Sequence, residues 1–220
     1  FVAAANRSFW GIETDVRKTR DGEFVVIHDD STGRVAGDNI SVEDTDLAAL
    51  RELILYNNGL SFPSGCSDEL GDKDRFDLRI PTFGEYLGIC AKYEKTAVVE
   101  LKDHFSVQDL RRIISLVSDK NYLDHTIFIS FDLSLLIHIR SFFPNQPLQY
   151  LTDQYSDIVQ SALLRYRLDL DIGYQALTEE LVHTLHGQKI KVNCWTCDNA
   201  QSAERLASWG VDFITTNILE

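Results

Sequence analysis

From residue 96 onward, short β-branched runs alternate with amphipathic stretches at a regular interval. The runs predict strands at residues 96–101, 126–130, 148–151, 168–172, 190–195 and 212–216. The stretches between them predict helices at residues 107–120, 133–143, 155–166, 178–186 and 199–209. Strands that alternate with helices of this length pair in parallel through βαβ units. The sequence therefore predicts an α/β protein built on a parallel sheet.

Polar residues that can begin a helix stand at the start of four of these predicted helices. Ser106, Asp132, Thr178 and Asp198 are each of a type that accepts a hydrogen bond from the first helical turn. We expect each of them to be an N-cap.

The upstream part of the chain adds one further strand and a hairpin. Residues 11–16 predict a strand, a turn at residues 19–22 leads into a hairpin arm at residues 24–27, and residues 1–6 predict the end of a helix. The chain then has seven barrel strands, whereas a (β/α)₈ barrel needs eight. We predict a single-domain TIM barrel over residues 1–220 that lacks its first strand. An open doubly wound sheet is the alternative, but it leaves the helix end unexplained.

Residues 30–80 break the alternation. They hold one predicted helix at residues 42–53 and then a Gly/Asp/Ser-rich tract at residues 61–77, before a helical pattern resumes beyond Pro81. A long segment between a barrel strand and its helix is typical of functional insertions at the catalytic end of a barrel. We expect a small insertion of this kind after the second barrel strand.

The composition narrows the classes of partner. A formal net charge of −13 argues against binding nucleic acid or anionic lipid through bulk electrostatics. No apolar run approaches the ~20 residues of a membrane span, so we expect no stable membrane insertion. Four cysteines are too few for a disulfide scaffold and favour a reducing, cytoplasmic location. The sequence leaves the oligomeric state open.

Two acidic residues lie on one face of the first predicted strand. In the sequence GIETDV at residues 11–16, Glu13 and Asp15 point the same way, while Ile12, Thr14 and Val16 point the other way. Two buried carboxylates need a cation, a proton or an arginine between them, and such oxygen ligands suit Mg²⁺ or Ca²⁺. The alternative is a solvated edge strand with its acidic residues outward.

A second pair of charged residues ends the apolar run VVELK at residues 98–102. Glu100 and Lys102 are two apart and share a face at the carboxyl end of the strand, where barrel active sites are built. Glu100 can complete a three-carboxylate metal site, with Lys102 close by to meet an anion. A Glu–Lys pair that extends into solvent is the alternative.

One histidine follows a strand and begins the predicted insertion. His28 lies shortly after the Glu13–Asp15 strand, and histidine is the side chain whose ordinary titration spans neutral pH. We interpret His28 as a candidate for proton transfer, with a structural histidine as the alternative. The other histidines fall in loops or on helices and are interpreted as surface residues.

Together these segments resemble the glycerophosphodiester phosphodiesterase family. The resemblance is carried by GIETDVRKTRDGEFVVIHDD at residues 11–30, Arg34, IPTF at 80–83, VVELK at 98–102, SFD at 130–132, VNCWT at 192–196 and GVDFITTN at 210–217. It implies that Glu13, Asp15 and Glu100 bind a divalent cation, either Ca²⁺ or Mg²⁺. The family begins with a strand ending in His-Arg-Gly, which does not occur in this sequence.

The resemblance also implies the roles of the remaining site residues. His28 is one of two catalytic histidines, the second being expected upstream of Phe1. Lys102 contacts the substrate, and Trp195 lines its pocket. A plain core role for Trp195, or a redox role for the flanking Cys194 and Cys197, is the competing interpretation; positions three apart on a strand face opposite sides, which opposes a disulfide.

The expected activity is metal-dependent hydrolysis of a small glycerophosphodiester to glycerol 3-phosphate and an alcohol. A related phosphodiesterase acting on lysophospholipids or cyclic phosphodiesters, and a non-catalytic binding barrel, are the alternatives. The sequence does not identify the alcohol that is released.

Overall fold

Parallel pairing of consecutive strands organises the chain in a computed structural model that describes residues 1–55 and 78–219. The parallel strands are β1 (Gly11–Lys18), β3 (Thr96–Leu101), β4 (Thr126–Ser130), β5 (Leu148–Thr152), β6 (Asp169–Gly173), β7 (Val192–Trp195) and β8 (Phe213–Ile214). Each pairs with the next in chain order from β1 through β3 to β8. The seven predicted barrel strands are confirmed, although β8 has only two residues instead of the predicted five.

A short antiparallel strand, β2 (Phe24–Val26), pairs with the end of β1. The turn between them uses Gly22 at φ +82°, a backbone conformation that glycine adopts without strain. The predicted hairpin is therefore confirmed. It places the segment after β2 beside the carboxyl ends of β1 and β3.

Helices alternate with the parallel strands along the chain, as predicted. They are α1 (Val2–Ala5), α2 (Leu47–Leu50), α3 (Phe83–Lys92), α4 (Val107–Ser118), α5 (Leu133–Phe142), α6 (Asp157–Tyr166), α7 (Glu179–Gly187) and α8 (Ala200–Ser208). Except for α2, their apolar faces and the outward side chains of the strands form one continuous core. Inside the barrel, Val98, Ile127, Ile129 and Leu151 form a small separate cluster against Trp195.

Helix starts follow the predicted chemistry at three of four positions. Ser106, Asp132 and Thr178 are N-caps whose side chains accept a backbone N–H of the first turn. The prediction for Asp198 is wrong by one residue, because Asn199 caps α8. The Asp198 carboxylate instead accepts hydrogen bonds from Asn217, beyond β8.

The described part of the segment after β2 packs against the hairpin. In this segment, Ile27, Val42, Leu50 and Ile80 form a buried apolar cluster with Val25 of β2. The predicted helix at residues 42–53 is wrong in extent, since only the single turn α2 is helical. The tract predicted at residues 61–77 lies outside the described residues.

Tertiary hydrogen bonds explain why that helix is short. The backbone N–H of Arg20 donates to the Thr45 carbonyl, and the Asp21 carboxylate accepts the N–H of Leu47. Both groups come from the turn between β1 and β2. They fix the backbone on either side of Asp46 and so define where α2 begins.

The sheet is open between β1 and β8 in the part of the chain that the structure describes. A cleft of about 660 Å³ lies there, lined by residues of both strands and by α1. The rings of Trp10 and Phe213 stack across it with their centroids 4.7 Å apart. The architecture is thus a (β/α)₈ barrel with seven of its eight strands, as predicted. No described helix has the length and apolar character that spanning a membrane requires.

Candidate active site

Three carboxylates meet at the carboxyl ends of β1 and β3. Asp15 lies in parallel register with Glu100, and Glu13 lies two residues before Asp15 on the same face. Ile12 and Val16 on the opposite face are buried in the core, so alternation directs both acids into the barrel. One oxygen from each of Glu13, Asp15 and Glu100 lies within 4.8 Å of the others. This arrangement, the carboxylate triad, is close enough for one cation to contact all three residues.

The ammonium group of Lys102 lies among these acids. Its Nζ is 3.2 Å from Asp15 Oδ1 and 3.2 Å from Glu100 Oε1. It also lies 3.3 Å from Nε2 of His28. Lys102 therefore lies between the triad and His28, although His28 is 74 positions away in the chain.

Burial and mutual repulsion dominate the electrostatics of the triad. Burial, followed by the charges of Asp15 and Glu100, raises the pKa of Glu13 from 4.5 to about 8. Burial also raises the pKa of Glu100. For Lys102, burial lowers the pKa, but the attraction of Glu100 and Asp15 outweighs burial and leaves the pKa raised. The single positive charge of Lys102 thus does not balance the three carboxylates of the triad.

Glu13 supplies the observation that most directly fits a cation. Its Oε1 is buried and has no hydrogen-bond partner among the described residues. A buried carboxylate oxygen without a partner is costly, and a proton or a hard cation can satisfy it. The residues present therefore fit a divalent cation.

A fourth carboxylate belongs to this interior and was not predicted. Asp171 on β6 is 1 % exposed, and burial together with the charge of Glu100 raises its pKa well above the ordinary value. It lines the same cavity as the triad. The signal for it was the alternation of Asp169 and Asp171 in an otherwise apolar strand, which repeats the pattern of Glu13 and Asp15.

The triad forms one side of a cavity of about 220 Å³. Trp195 forms another side, and the ring of Phe131 packs edge-on against it at 5.8 Å between centroids. Phe131 was not predicted as a site residue, and 46 % of it is exposed at the cavity mouth. Cys194 and Cys197 flank Trp195 as free, buried thiols. The predicted metal, proton-transfer and pocket residues therefore all line one cavity.

The sequence model of the glycerophosphoryl diester phosphodiesterase family matches residues 1–220. The chain belongs to this family. A glycerophosphodiester phosphodiesterase of Bacillus subtilis (strain 168) is 25% identical over 217 residues, which cover 94% of this chain and 73% of the relative. Another, from Caldanaerobacter subterraneus subsp. tengcongensis, is 26% identical over 212 residues, covering 94% of this chain and 82% of the relative.

Solved structures share the barrel. A phosphodiesterase of Oleispira antarctica, in complex with the product sn-glycerol-3-phosphate, superposes with a TM-score of 0.81 at 19% identity, covering 98% of this chain and 84% of that one. A glycerophosphodiester phosphodiesterase of Parabacteroides distasonis gives a TM-score of 0.77 at 23% identity over 97% of this chain and 82% of that one. At these identities the structures establish the fold.

In this phosphodiesterase-family barrel, His28 is the histidine, among the residues that the structure describes, whose side chain lines the cavity. His104 lies exposed beside Asp132, at 3.8 Å, and His186 bonds Asp212 on the outside of β7 and β8. The structure thus separates His28 from those two histidines. The second catalytic histidine, expected upstream of Phe1, stays a prediction.

Proposed function

We propose that this chain hydrolyses glycerophosphodiesters to glycerol 3-phosphate and an alcohol, with a divalent cation held by Glu13, Asp15 and Glu100. The observation that carries the proposal is the convergence of these three carboxylates, Lys102 and His28 on one cavity at the carboxyl end of the barrel. Family membership and the names of the relatives support the substrate class.

The cation requirement follows from charge. A phosphodiester is an anion near neutral pH, and it would enter a cavity that already holds Glu13, Asp15, Glu100 and Asp171. Lys102 is already engaged with two of these acids. A bound Ca²⁺ or Mg²⁺ would offset the acids and draw charge from a phosphoryl oxygen. Oxygen ligands alone suit both ions.

Lys102 and His28 supply the two functions that the acids cannot. The Lys102 ammonium is positioned to pair with a phosphoryl oxygen once a cation has neutralised its carboxylate partners. The Nε2 atom of His28 faces the same space and can exchange a proton with the reacting oxygen atoms. Trp195 and Phe131 would contact the organic part of the substrate through their rings.

In the overall reaction, water adds to phosphorus and the bond from phosphorus to the alcohol oxygen breaks. The water oxygen remains on phosphorus in glycerol 3-phosphate. One of the two water protons leaves with the alcohol, and the other stays on the phosphate or passes to solvent. His28 participates in one of the proton transfers.

The proposal is tested by following glycerophosphocholine with ³¹P NMR in the presence of the full-length protein. We expect the diester resonance to be replaced by that of glycerol 3-phosphate, with choline released. EDTA should stop the conversion, and excess Ca²⁺ or Mg²⁺ should restore it. His28→Gln should abolish turnover, whereas His183→Gln, a control on the outer face of α7, should retain it.

Choline phosphate as the product would contradict the proposed bond cleavage. Conversion that continues in EDTA would contradict the cation's role. Folded full-length protein that converts none of glycerophosphocholine, glycerophosphoethanolamine or glycerophosphoglycerol with either metal would favour a binding barrel.

A further inference from the structure

The imidazole of His28 is held from two sides by different partners. Its Nδ1 lies 2.6 Å from Oδ1 of Asp29, while its Nε2 faces Lys102 Nζ at 3.3 Å. The His28 side chain is 60% exposed, so packing alone cannot fix the ring. Hydrogen bonds must therefore set its orientation.

Asp29 is itself fixed by an arginine. Arg34 Nε lies 2.7 Å from Asp29 Oδ2, and Arg34 Nη2 lies 3.2 Å from Oδ1. Such a bidentate contact fixes the plane of the carboxylate and also favours its charged form. The hydrogen bonds from Arg34 and then from His28 lower the pKa of Asp29 to about 2.

The ionised state of Asp29 determines which nitrogen of His28 carries the proton. A carboxylate can only accept hydrogen bonds, so the neighbouring Nδ1 must donate. In neutral His28 the free lone pair is then on Nε2, the nitrogen beside Lys102 and the triad. The opposite tautomer would leave Nδ1 and the carboxylate as two acceptors facing each other.

A second arginine fixes the backbone of the same residue. Arg17 Nε and Nη2 donate to the His28 carbonyl at 3.1 and 2.9 Å. The remaining Nη1 of Arg17 pairs with Asp103 Oδ1 at 2.6 Å, and the other oxygen of Asp103 accepts the N–H of Lys18. Arg17 is 14% exposed, so this contact is shielded and anchored to β1.

We propose that Asp29, restrained by Arg34, is a positioning residue that keeps the proton of His28 on Nδ1 and so presents Nε2 to the reacting phosphoryl group. Arg17 complements it by holding the His28 backbone two residues beyond the end of β2. The inference rests on the proposed function only for the role of Nε2. The orientation of the ring stands on the contacts of His28 with Asp29 and Lys102, whatever the function of the site.

Asp29→Asn in the full-length protein tests the proposal. The amide can donate to Nδ1 and stabilise the wrong tautomer. Because Asp29 acts through His28, we expect kcat for glycerophosphocholine to fall by about 10- to 100-fold, at or below the ~100-fold lower end of what a general acid or base contributes directly. KM should change little. Arg34→Gln should lower kcat less than Asp29→Asn does, and Arg34→Lys should lower it less than Arg34→Gln.

Asp46→Asn is the matched control. Asp46 makes an equivalent bidentate contact with Arg20, at 2.8 and 2.7 Å, at the turn of the hairpin between β1 and β2. Its loss should leave kcat unchanged. Equal kcat values for the Asp29→Asn and wild-type proteins would overturn the proposal, as would equal losses in the Asp29 and Asp46 variants.

The tautomer of His28 can be determined independently of any activity measurement. In ¹⁵N-histidine spectra at about pH 8.5, where ordinary imidazole is neutral, the His28 signals are identified by their absence in His28→Gln among the six histidines. We expect the Nδ1–H form in wild type and its depletion in Asp29→Asn. An Nε2–H form in wild type would refute the positioning role. Inactive wild type with the Nδ1–H form would refute the catalytic function and leave the positioning of His28 supported.

Discussion

Glu13 is the residue at which burial and charge conflict most directly. Its pKa of about 8 in the fold, against an ordinary 4.5, is caused first by burial and then by the neighbouring acids. In the cation-free protein, Glu13 therefore retains a proton that the unfolded chain has already released above about pH 4.5. A bound cation would remove this conflict, because it stabilises the charged form.

The raised pKa makes a prediction about stability against pH. The folded state binds more protons than the unfolded state between the two pKa values, so stability falls as pH rises from about 4.5 to about 8. At about 1.4 kcal/mol per pKa unit, the Glu13 contribution is on the order of a few kcal/mol. We expect Glu13→Gln to reduce this decline in EDTA, as measured by urea unfolding at a series of pH values.

Glu204→Gln is the control, because Glu204 is exposed on α8. Its stability profile should follow that of the wild type. A Glu13→Gln profile parallel to the wild type would show that Glu13 keeps its ordinary pKa in the fold.

Among the secondary-structure elements, helix α3 connects the site to the core. The buried Tyr86 hydroxyl donates to the Ile12 carbonyl at 2.6 Å and approaches the Val98 carbonyl at 3.4 Å. These carbonyls belong to β1 and β3, one residue before Glu13 and two before Glu100. The hydroxyl thus ties together the two strands that carry the triad.

Tyr86→Phe is therefore expected to lower both stability and turnover. The lost buried hydrogen bond should reduce the free energy of unfolding by about 1–2 kcal/mol. Tyr122→Phe is the matched control, since its hydroxyl bonds the Cys90 and Lys95 carbonyls away from the site. It should lose similar stability in urea and keep its turnover. Equal turnover in both variants would show that Tyr86 has no influence on the triad.

Elements with strong local patterns were predictable from the sequence. The alternation of runs predicted the parallel strands, and the caps Ser106, Asp132 and Thr178 predicted where helices begin. The helix predicted at residues 42–53 was wrong because Asp21, distant in sequence, binds the backbone there. Local propensity carries no information about such partners.

Contacts between distant segments likewise limited prediction of the site. The triad was predictable because period-two alternation places Glu13 and Asp15 on one face, and parallel pairing brings Glu100 beside them. The contacts of Arg17 with His28 and Asp103 were not predictable, because their geometry exists only once β1, β2 and β3 have paired.

For the molecule as a whole, the net charge and the acids inside the barrel both create a need for local positive charge at the site. The chain carries a formal net charge of −13, and its barrel concentrates four acids around one cavity. A protein of this charge repels an anionic substrate at long range. Local positive charge at the triad must therefore offset that repulsion before a phosphodiester can bind.

The most direct measurement is calorimetric titration of Ca²⁺ and of Mg²⁺ into EDTA-treated, dialysed full-length protein. We predict binding at one site in the wild type, with Glu204→Gln binding equally well. Glu13→Gln and Glu100→Gln should each weaken binding by at least about tenfold, since losing a charged ligand contact costs about 1.5–3 kcal/mol. Undiminished binding in both variants, or hydrolysis by protein that binds neither cation, would contradict the assignment of the triad.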